Sequence, residues 1–229
     1  MKKVLVGCPT SYHKEYCFEE YCKGLKALTY KNHDVLLVEN SENNEYFNKI
    51  KQSLPVIKGP FYESALDRII ASRNILREKV VEGDYDYFLS LEQDVIPPKD
   101  IIERLLKHNK KVTTGIYFVH NVLNRNLKLI PLAYKEIPSK NPLPDMRPLN
   151  DIELASNSLM KIVSCGLGCV LIHRDILKKI KFRYENKVFD DRFFCIDLYK
   201  QKIPIYVDTS VKCKHYILNR PYPWNKIKK

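Results

Sequence analysis

Two acidic pairs and one histidine stand out because of what surrounds them. Tyr85 to Lys99 reads as an apolar run, Tyr87, Phe88, Leu89 and Leu91, that leads into Glu92-Gln93-Asp94 and is stopped by Pro97-Pro98. Strand side chains alternate between faces, so Glu92 and Asp94 are expected on one side, and two prolines cannot extend a ladder. Carboxylates at a strand end either hold a divalent cation against phosphate or simply lead into the next helix. Phe189-Asp190-Asp191-Arg192 opens a helix that carries Phe194, Cys195 and Leu198. One aspartate suffices as the N-cap, which leaves the other to take a proton from a hydroxyl. His215, in Lys212-Cys-Lys-His-Tyr216, falls beyond the last strand, as a packed residue or as a metal ligand.

Arg73 interrupts an apolar stripe, since positions 66, 69, 73, 76 and 80 share one helix face. An arginine turned towards a core must find anionic or hydrogen-bonding partners. Those are an internal carboxylate, or the base or phosphates of a nucleotide reached with Asn74 beside it. Gly166-Leu-Gly168 lies between strand-like segments and permits close approach of a backbone or a ligand. It lacks the Lys-Ser/Thr ending of a phosphate loop and the third glycine of a dinucleotide fingerprint, so a bulge explains it as well. The spacings Cys165 to Cys169 and Cys213 to His215 match structural zinc sites poorly.

A scaffold must bring these groups together. Lys3 to Cys8 reads as a buried strand, and after Pro9-Thr10-Ser11 an amphipathic helix places Phe18, Tyr21, Cys22, Leu25 and Leu28 on one face. With a second strand at Val35 to Val38, this is the opening of a parallel α/β sheet. The helix Glu63 to Val81, the strand running into Glu92, the helix Ile101 to His108 and the strand Val112 to Val119 continue the alternation. Ligands of such sheets bind beyond the carboxyl ends of the strands. Asn124 to Asn157 lacks periodicity and reads as an extended or hairpin-bearing insertion, of the kind that covers substrates. Strands through Val163, at Cys169 to Ile172 and at Ile203 to Asp208, with helices at Arg174 to Lys179 and Asp191 to Lys200, complete the pattern. The class is α/β, a mixed but mostly parallel sheet flanked by helices. It forms one domain over 1–216, divided near 119, and a basic aromatic tail follows at 217–229.

With 229 residues and 45% hydrophobic composition, the chain can bury a full core. No run approaches the roughly 18 apolar residues of a membrane span, and the opening apolar run is too short for a signal-peptide core. A cytoplasmic protein is expected, with its seven cysteines as reduced, buried thiols. The net charge of +12 suits a polyanionic partner or a phosphorylated ligand near an acidic membrane. Groups such as Lys178 to Lys181 also suit a solvated helix face, and no nucleic-acid motif is present. The tail either solubilises the chain or closes over a ligand with Arg220 or Lys226.

Four blocks, Ala71-Ser-Arg-Asn74, Tyr85 to Pro98, Ser164 to Arg174 with its Gly-x-Gly-Cys-x-Leu-Ile pattern, and Phe189 to His215, give the chain a resemblance from Val4 to about Tyr216. It resembles the GT-A nucleotide-sugar glycosyltransferases, family-2-like enzymes in particular. The resemblance implies a GT-A fold and transfer of a sugar from a nucleoside-diphosphate sugar to a hydroxyl of a glycan, lipid-linked or protein acceptor. It implies that Asp94 binds Mn2+ or Mg2+ on the donor diphosphate and that His215 completes the metal site. Glu92, where the family often has Asp, would contact the ribose or the metal through water.

By the same resemblance, Arg73 and Asn74 approach the base or diphosphate, Pro9 and Thr10 line the nucleoside pocket, and Gly166 and Gly168 contact the donor. Asp191 would be the catalytic base, preceded by Asp190, with inversion at the sugar carbon. Peripheral contact with the inner face of a membrane would suit a lipid-linked acceptor, and specific nucleic-acid binding is not expected. Two other readings stay open. A metal-dependent sugar nucleotidyltransferase would need a glycine-rich loop after the first strand, where Gly7-Cys-Pro-Thr-Ser11 stands. A non-catalytic basic nucleotide- or polyanion-binding protein would leave the carboxylates gathered at element ends without a use.

Overall fold

Every residue of Tyr87–Leu91 is buried, and so are all but one of Val4–Thr10. Strands covered on both faces belong to the interior of a sheet with helices on either side. The computed structural model, which describes residues 1–123, 126–186 and 188–216, has that architecture. Along the chain come β1 (Val4–Thr10), a 3-10 helix (Tyr12–Cys17), α1 (Phe18–Lys26), β2 (His33–Glu39), α2 (Glu45–Ile50), β3 (Val56–Lys58), α3 (Ala65–Glu82), β4 (Tyr87–Leu91), β5 (Val95–Ile96) and α4 (Ile101–Leu106). Next are β6 (Val112–Ile116), β7 (Phe118–Leu123), β8 (Asn126–Pro131), β9 (Ala133–Ile137), β10 (Asp145–Pro148) and α5 (Asp151–Ala155). The chain then forms β11 (Leu159–Ile162), β12 (Ser164–Cys165), β13 (Cys169–His173), α6 (Arg174–Lys179), α7 (Asp190–Lys200), β14 (Ile205–Lys212) and β15 (Lys214–His215).

The main sheet has the order β11-β14-β6-β13-β4-β1-β2-β3. β1 runs parallel to β2 and β4, β2 to β3, and β6 to β14, whereas β13 runs antiparallel between β4 and β6, and β11 antiparallel to β14. The carboxyl ends of β1, β2, β4, β6 and β14 therefore share one edge. Because β13 runs the other way, it starts at that edge and brings the loop at 166–168 to it. On one face, Tyr21 and Leu25 of α1 with Ile101 and Leu105 of α4 pack on Val4, Val6, Leu89 and Leu91. On the other, Leu76 and Val80 of α3, Leu177 of α6 and Phe194 of α7 pack on Leu5, Phe88, Val170 and Ile172. All seven cysteines are free thiols in buried positions.

Several boundaries differ from the sequence reading, each for a local reason. β4 stops at Leu91, and the Val95 amide donates to the Glu92 carbonyl at 2.8 Å, so Glu92–Val95 is a turn instead of a strand extension. The two carboxylates are thereby released from strand alternation. The strand expected at Val112 to Val119 breaks at Tyr117 into β6 and the β7–β8 hairpin. The insertion supplies β8, which pairs with β7, then β9 and β10, which form a small sheet with β12, and α5, whose start is closed by a reciprocal Asn150–Glu153 capping box. Among the described residues, no helix is long and apolar enough to cross a membrane.

Candidate active site

The shared strand edge holds a cavity of about 420 Å³. Arg73 is its buried hub, only 2% exposed, on the α3 face that the apolar stripe turns inward. Its Nη1 donates to Ser90 Oγ at 2.9 Å, its Nη2 to Glu92 Oε1 at 3.1 Å, and its Nε lies 2.6 Å from Asp190 Oδ2. The guanidinium also lies over the Phe182 ring, 5.6 Å from its centroid. Burial alone would lower the Arg73 pKa, but the charges of Asp190 and Glu92 outweigh it and raise it, so the cation is permanent. One side chain thus ties α3 to β4, to the turn after it and to the start of α7. Asn74 does not share this role. Its side chain donates to the Phe182 carbonyl at 2.9 Å and accepts from the Phe182 amide at 3.0 Å, which pins the segment before α7 and takes Asn74 away from the cavity.

Asp190 and Asp191 are the first residues of α7, and the capping position is Phe189, so neither aspartate caps from outside the helix. Both line the cavity; Asp190 is buried against Arg73, whereas Asp191 is free of that pair and accepts from the Arg192 amide at 2.7 Å. Burial, the neighbouring Asp190 charge and Glu92 push the Asp191 pKa up to about 6, against the Arg192 amide and Arg73. A carboxylate poised there is ionised at neutral pH and a better base than an ordinary aspartate.

Glu92 and Asp94 end up serving different cations, which corrects the expectation of a single acidic face. Glu92 faces Arg73 and lines the cavity. Asp94 is fully buried and does not line it. Its Oδ2 is paired with the Lys14 ammonium and lies 3.3 Å from His215 Nε2. His215 Nδ1 is 2.7 Å from the Phe118 carbonyl; because a carbonyl only accepts, this nitrogen carries the proton and Nε2 is turned to Asp94. A carboxylate oxygen and an imidazole nitrogen are a reasonable donor pair for Mn2+ or Mg2+. However, among the described residues no three His, Cys, Asp or Glu side chains converge as a metal site, and Lys14 holds the oxygen that the ion would take. With Lys14 in place, these residues do not fit a resident ion.

Pro9 and Thr10 line the cavity at the end of β1, with Asn40 beyond β2 beside them. Thr10 donates to the buried Gln93, whose amide also reaches Tyr46 Oη at 2.9 Å. Gly166 and Gly168 make room for Tyr117. A Cβ at Gly166 would sit 2.1 Å from the Tyr117 oxygen and one at Gly168 2.7 Å from its ring, while the Gly168 amide donates to that oxygen at 2.8 Å. The cavity wall is Tyr117 and Leu167 instead of the glycines. Sequence reasoning missed Lys14 and Tyr117. Each follows the carboxyl end of a strand, which is the signal that would have found them, but Lys14 is one of many dispersed lysines and Tyr117 was absorbed into a strand. The expected ligand contacts of Arg220 and Lys226 lie outside the described residues.

No protein-family model matches the sequence, and no curated protein matches it. Solved structures do. S. aureus TarS 1–349 superposes with a TM-score of 0.53 at 15% identity, over 95% of this chain and 59% of that one. The same protein in complex with UDP-GlcNAc gives 0.52 at 15% identity, over 95% and 57%. The fold is GT-A. This chain spans under two thirds of those TarS chains. Within the GT-A sheet, the cavity with Arg73, Glu92 and Asp191 lies at the strand edge where α/β sheets take their ligands.

Proposed function

We propose that this protein transfers a sugar from a nucleoside-diphosphate sugar to an acceptor hydroxyl, with inversion and with Asp191 as the general base. The observation that carries the reading is Asp191 itself: a cavity-facing carboxylate with a pKa near 6, held at a helix start beside a buried arginine–carboxylate network. The GT-A fold supports a nucleotide-sugar donor, as does the binding of UDP-GlcNAc by TarS on that fold. Pro9, Thr10 and Asn40 form the wall suited to the nucleoside, and the acceptor, a glycan, lipid-linked or protein hydroxyl, would enter on the Asp191 side. The acceptor oxygen gives its proton to Asp191 as it attacks the anomeric carbon, and the diphosphate leaves on the opposite side. General-base assistance of this kind contributes about 10²–10⁴ in rate. Mn2+ or Mg2+ was the expected cofactor, but no step here runs through it, because Lys14 stands at its place.

The test is a panel of nucleotide sugars, UDP-GlcNAc included, with nucleoside diphosphate release followed and the anomer of the product read by NMR. Release with inversion, lost in Asp191→Asn, is the expected result. If no nucleotide sugar bound or turned over, and the protein instead made pyrophosphate from a nucleoside triphosphate and a sugar 1-phosphate, the nucleotidyltransferase reading would replace this one.

A further inference from the structure

We infer that the Lys14 ammonium is the site's own cation for the donor diphosphate, so that nucleotide binding and transfer proceed without a divalent ion. The inference rests on the nucleotide-sugar reading above and specifies how its leaving group is stabilised.

A diphosphate entering this cavity meets the carboxylates Glu92, Asp190 and Asp191 and needs positive charge close by. Arg73 cannot supply much of it. Its nitrogens are directed at Ser90, Glu92 and Asp190. His215 has committed Nδ1 to the Phe118 carbonyl and presents Nε2 to Asp94. Lys14 differs from both: its side chain is 26% exposed, lines the cavity and is paired from below by the fully buried Asp94.

The backbone that carries Lys14 is also fixed. Its carbonyl accepts from Gln93 Nε2 at 2.5 Å and from Cys17 Sγ at 3.2 Å, and Gln93 is in turn held by Tyr46 and Thr10. The ammonium is therefore held in position before any ligand arrives, which is what makes a charge effective in a transition state. A metal ion on Asp94 Oδ2 would have to displace this ammonium from its buried counter-ion and so would have to offset the loss of that ion pair.

In the transfer step, the bond between the anomeric carbon and the diphosphate oxygen breaks, and its electron pair stays on that oxygen. The acceptor oxygen forms the new bond and gives its proton to Asp191. The charge gathering on the departing diphosphate faces Lys14, which acts as a fixed positive charge and not as a proton donor.

Calorimetric binding of UDP, ADP, GDP and CDP, in EDTA and then in Mn2+, tests this on the full chain. At least one diphosphate should bind the parent protein in EDTA, with Mn2+ changing its affinity by less than about threefold. Lys14→Met should weaken that binding by about tenfold or more, as loss of a charge-assisted contact does, and Lys14→Arg should restore most of it. Mn2+ should also rescue Lys14→Met more than it helps the parent, because the ammonium no longer competes for Asp94 Oδ2. Binding that needs Mn2+ in the parent protein, or that ignores Lys14→Met while thermal melting shows it folded, overturns the inference and leaves the donor reading standing. Absence of diphosphate binding in both EDTA and Mn2+ overturns both. Should Lys14→Met not fold, the parent in EDTA and Lys14→Arg decide the matter.

Discussion

At the level of single residues, Asp191 shows a conflict between stability and chemistry. Its pKa rises from 3.8 to about 6 on folding, so between those pH values the native state binds a proton that the unfolded chain releases. Stability from this residue is therefore greatest at low pH and is lost as pH rises through about 6, the range in which the base becomes active. Asp191→Asn should make the protein more stable at pH 7.5 by on the order of 1–3 kcal/mol, an advantage that shrinks towards pH 4, as urea unfolding at the two pH values would record. The same variant should bind nucleoside diphosphate normally and lose most donor turnover, and turnover in the parent should climb with pH through about 6 and then level off. Near-parent turnover in Asp191→Asn would move the base elsewhere. Arg73 is the opposite case, since its removal would leave the buried Asp190 and the half-buried Glu92 without their cation. Arg73→Ala should cost about 3–5 kcal/mol in denaturant unfolding, whatever its effect on the reaction.

Among the elements, the approach of the 166–168 loop to Tyr117 sets the cavity wall. Gly166→Ala should destabilise by about 1–3 kcal/mol, the cost of overpacking, because its Cβ would meet the Tyr117 oxygen at 2.1 Å. Adding Tyr117→Phe should recover part of that loss, and equal midpoints for the single and double variants would show that the oxygen is not the obstacle. This contact also marks where the sequence was legible and where it was not. Apolar periodicity located β1, α1, α3, β4, α6 and α7, the strand-end rule singled out Glu92, and the doubled aspartate at a helix start singled out Asp191. Periodicity says nothing about which of two uses a glycine has, so Gly166 and Gly168 remained open between bulge and ligand. It also extended β4 through Asp94, because a turn of four residues bearing Glu, Gln and Asp carries no proline or glycine to announce it. Asn74 was assigned to the cavity by its neighbour Arg73, although adjacent helix positions face in different directions.

Taken as a whole, the parts of the chain before and after residue 119 share one sheet. β6 ends the first half, yet its sheet neighbours are β13 and β14, both from the second. A fragment of residues 1–119 should therefore show no cooperative thermal transition, whereas 1–216 should melt as a single unit; a sharp transition in the fragment would show that β6 does not need its later neighbours. The late arrival of β13 matters during synthesis as well. At about 5–20 residues per second, β6 leaves the ribosome seconds before either strand that will flank it, with both of its hydrogen-bonding edges bare. Its sequence, Val-Thr-Thr-Gly-Ile, eases that wait in part: the glycine weakens the strand and the two hydroxyls reduce its apolar surface, while the more apolar β4 is made when β1, its neighbour, already exists.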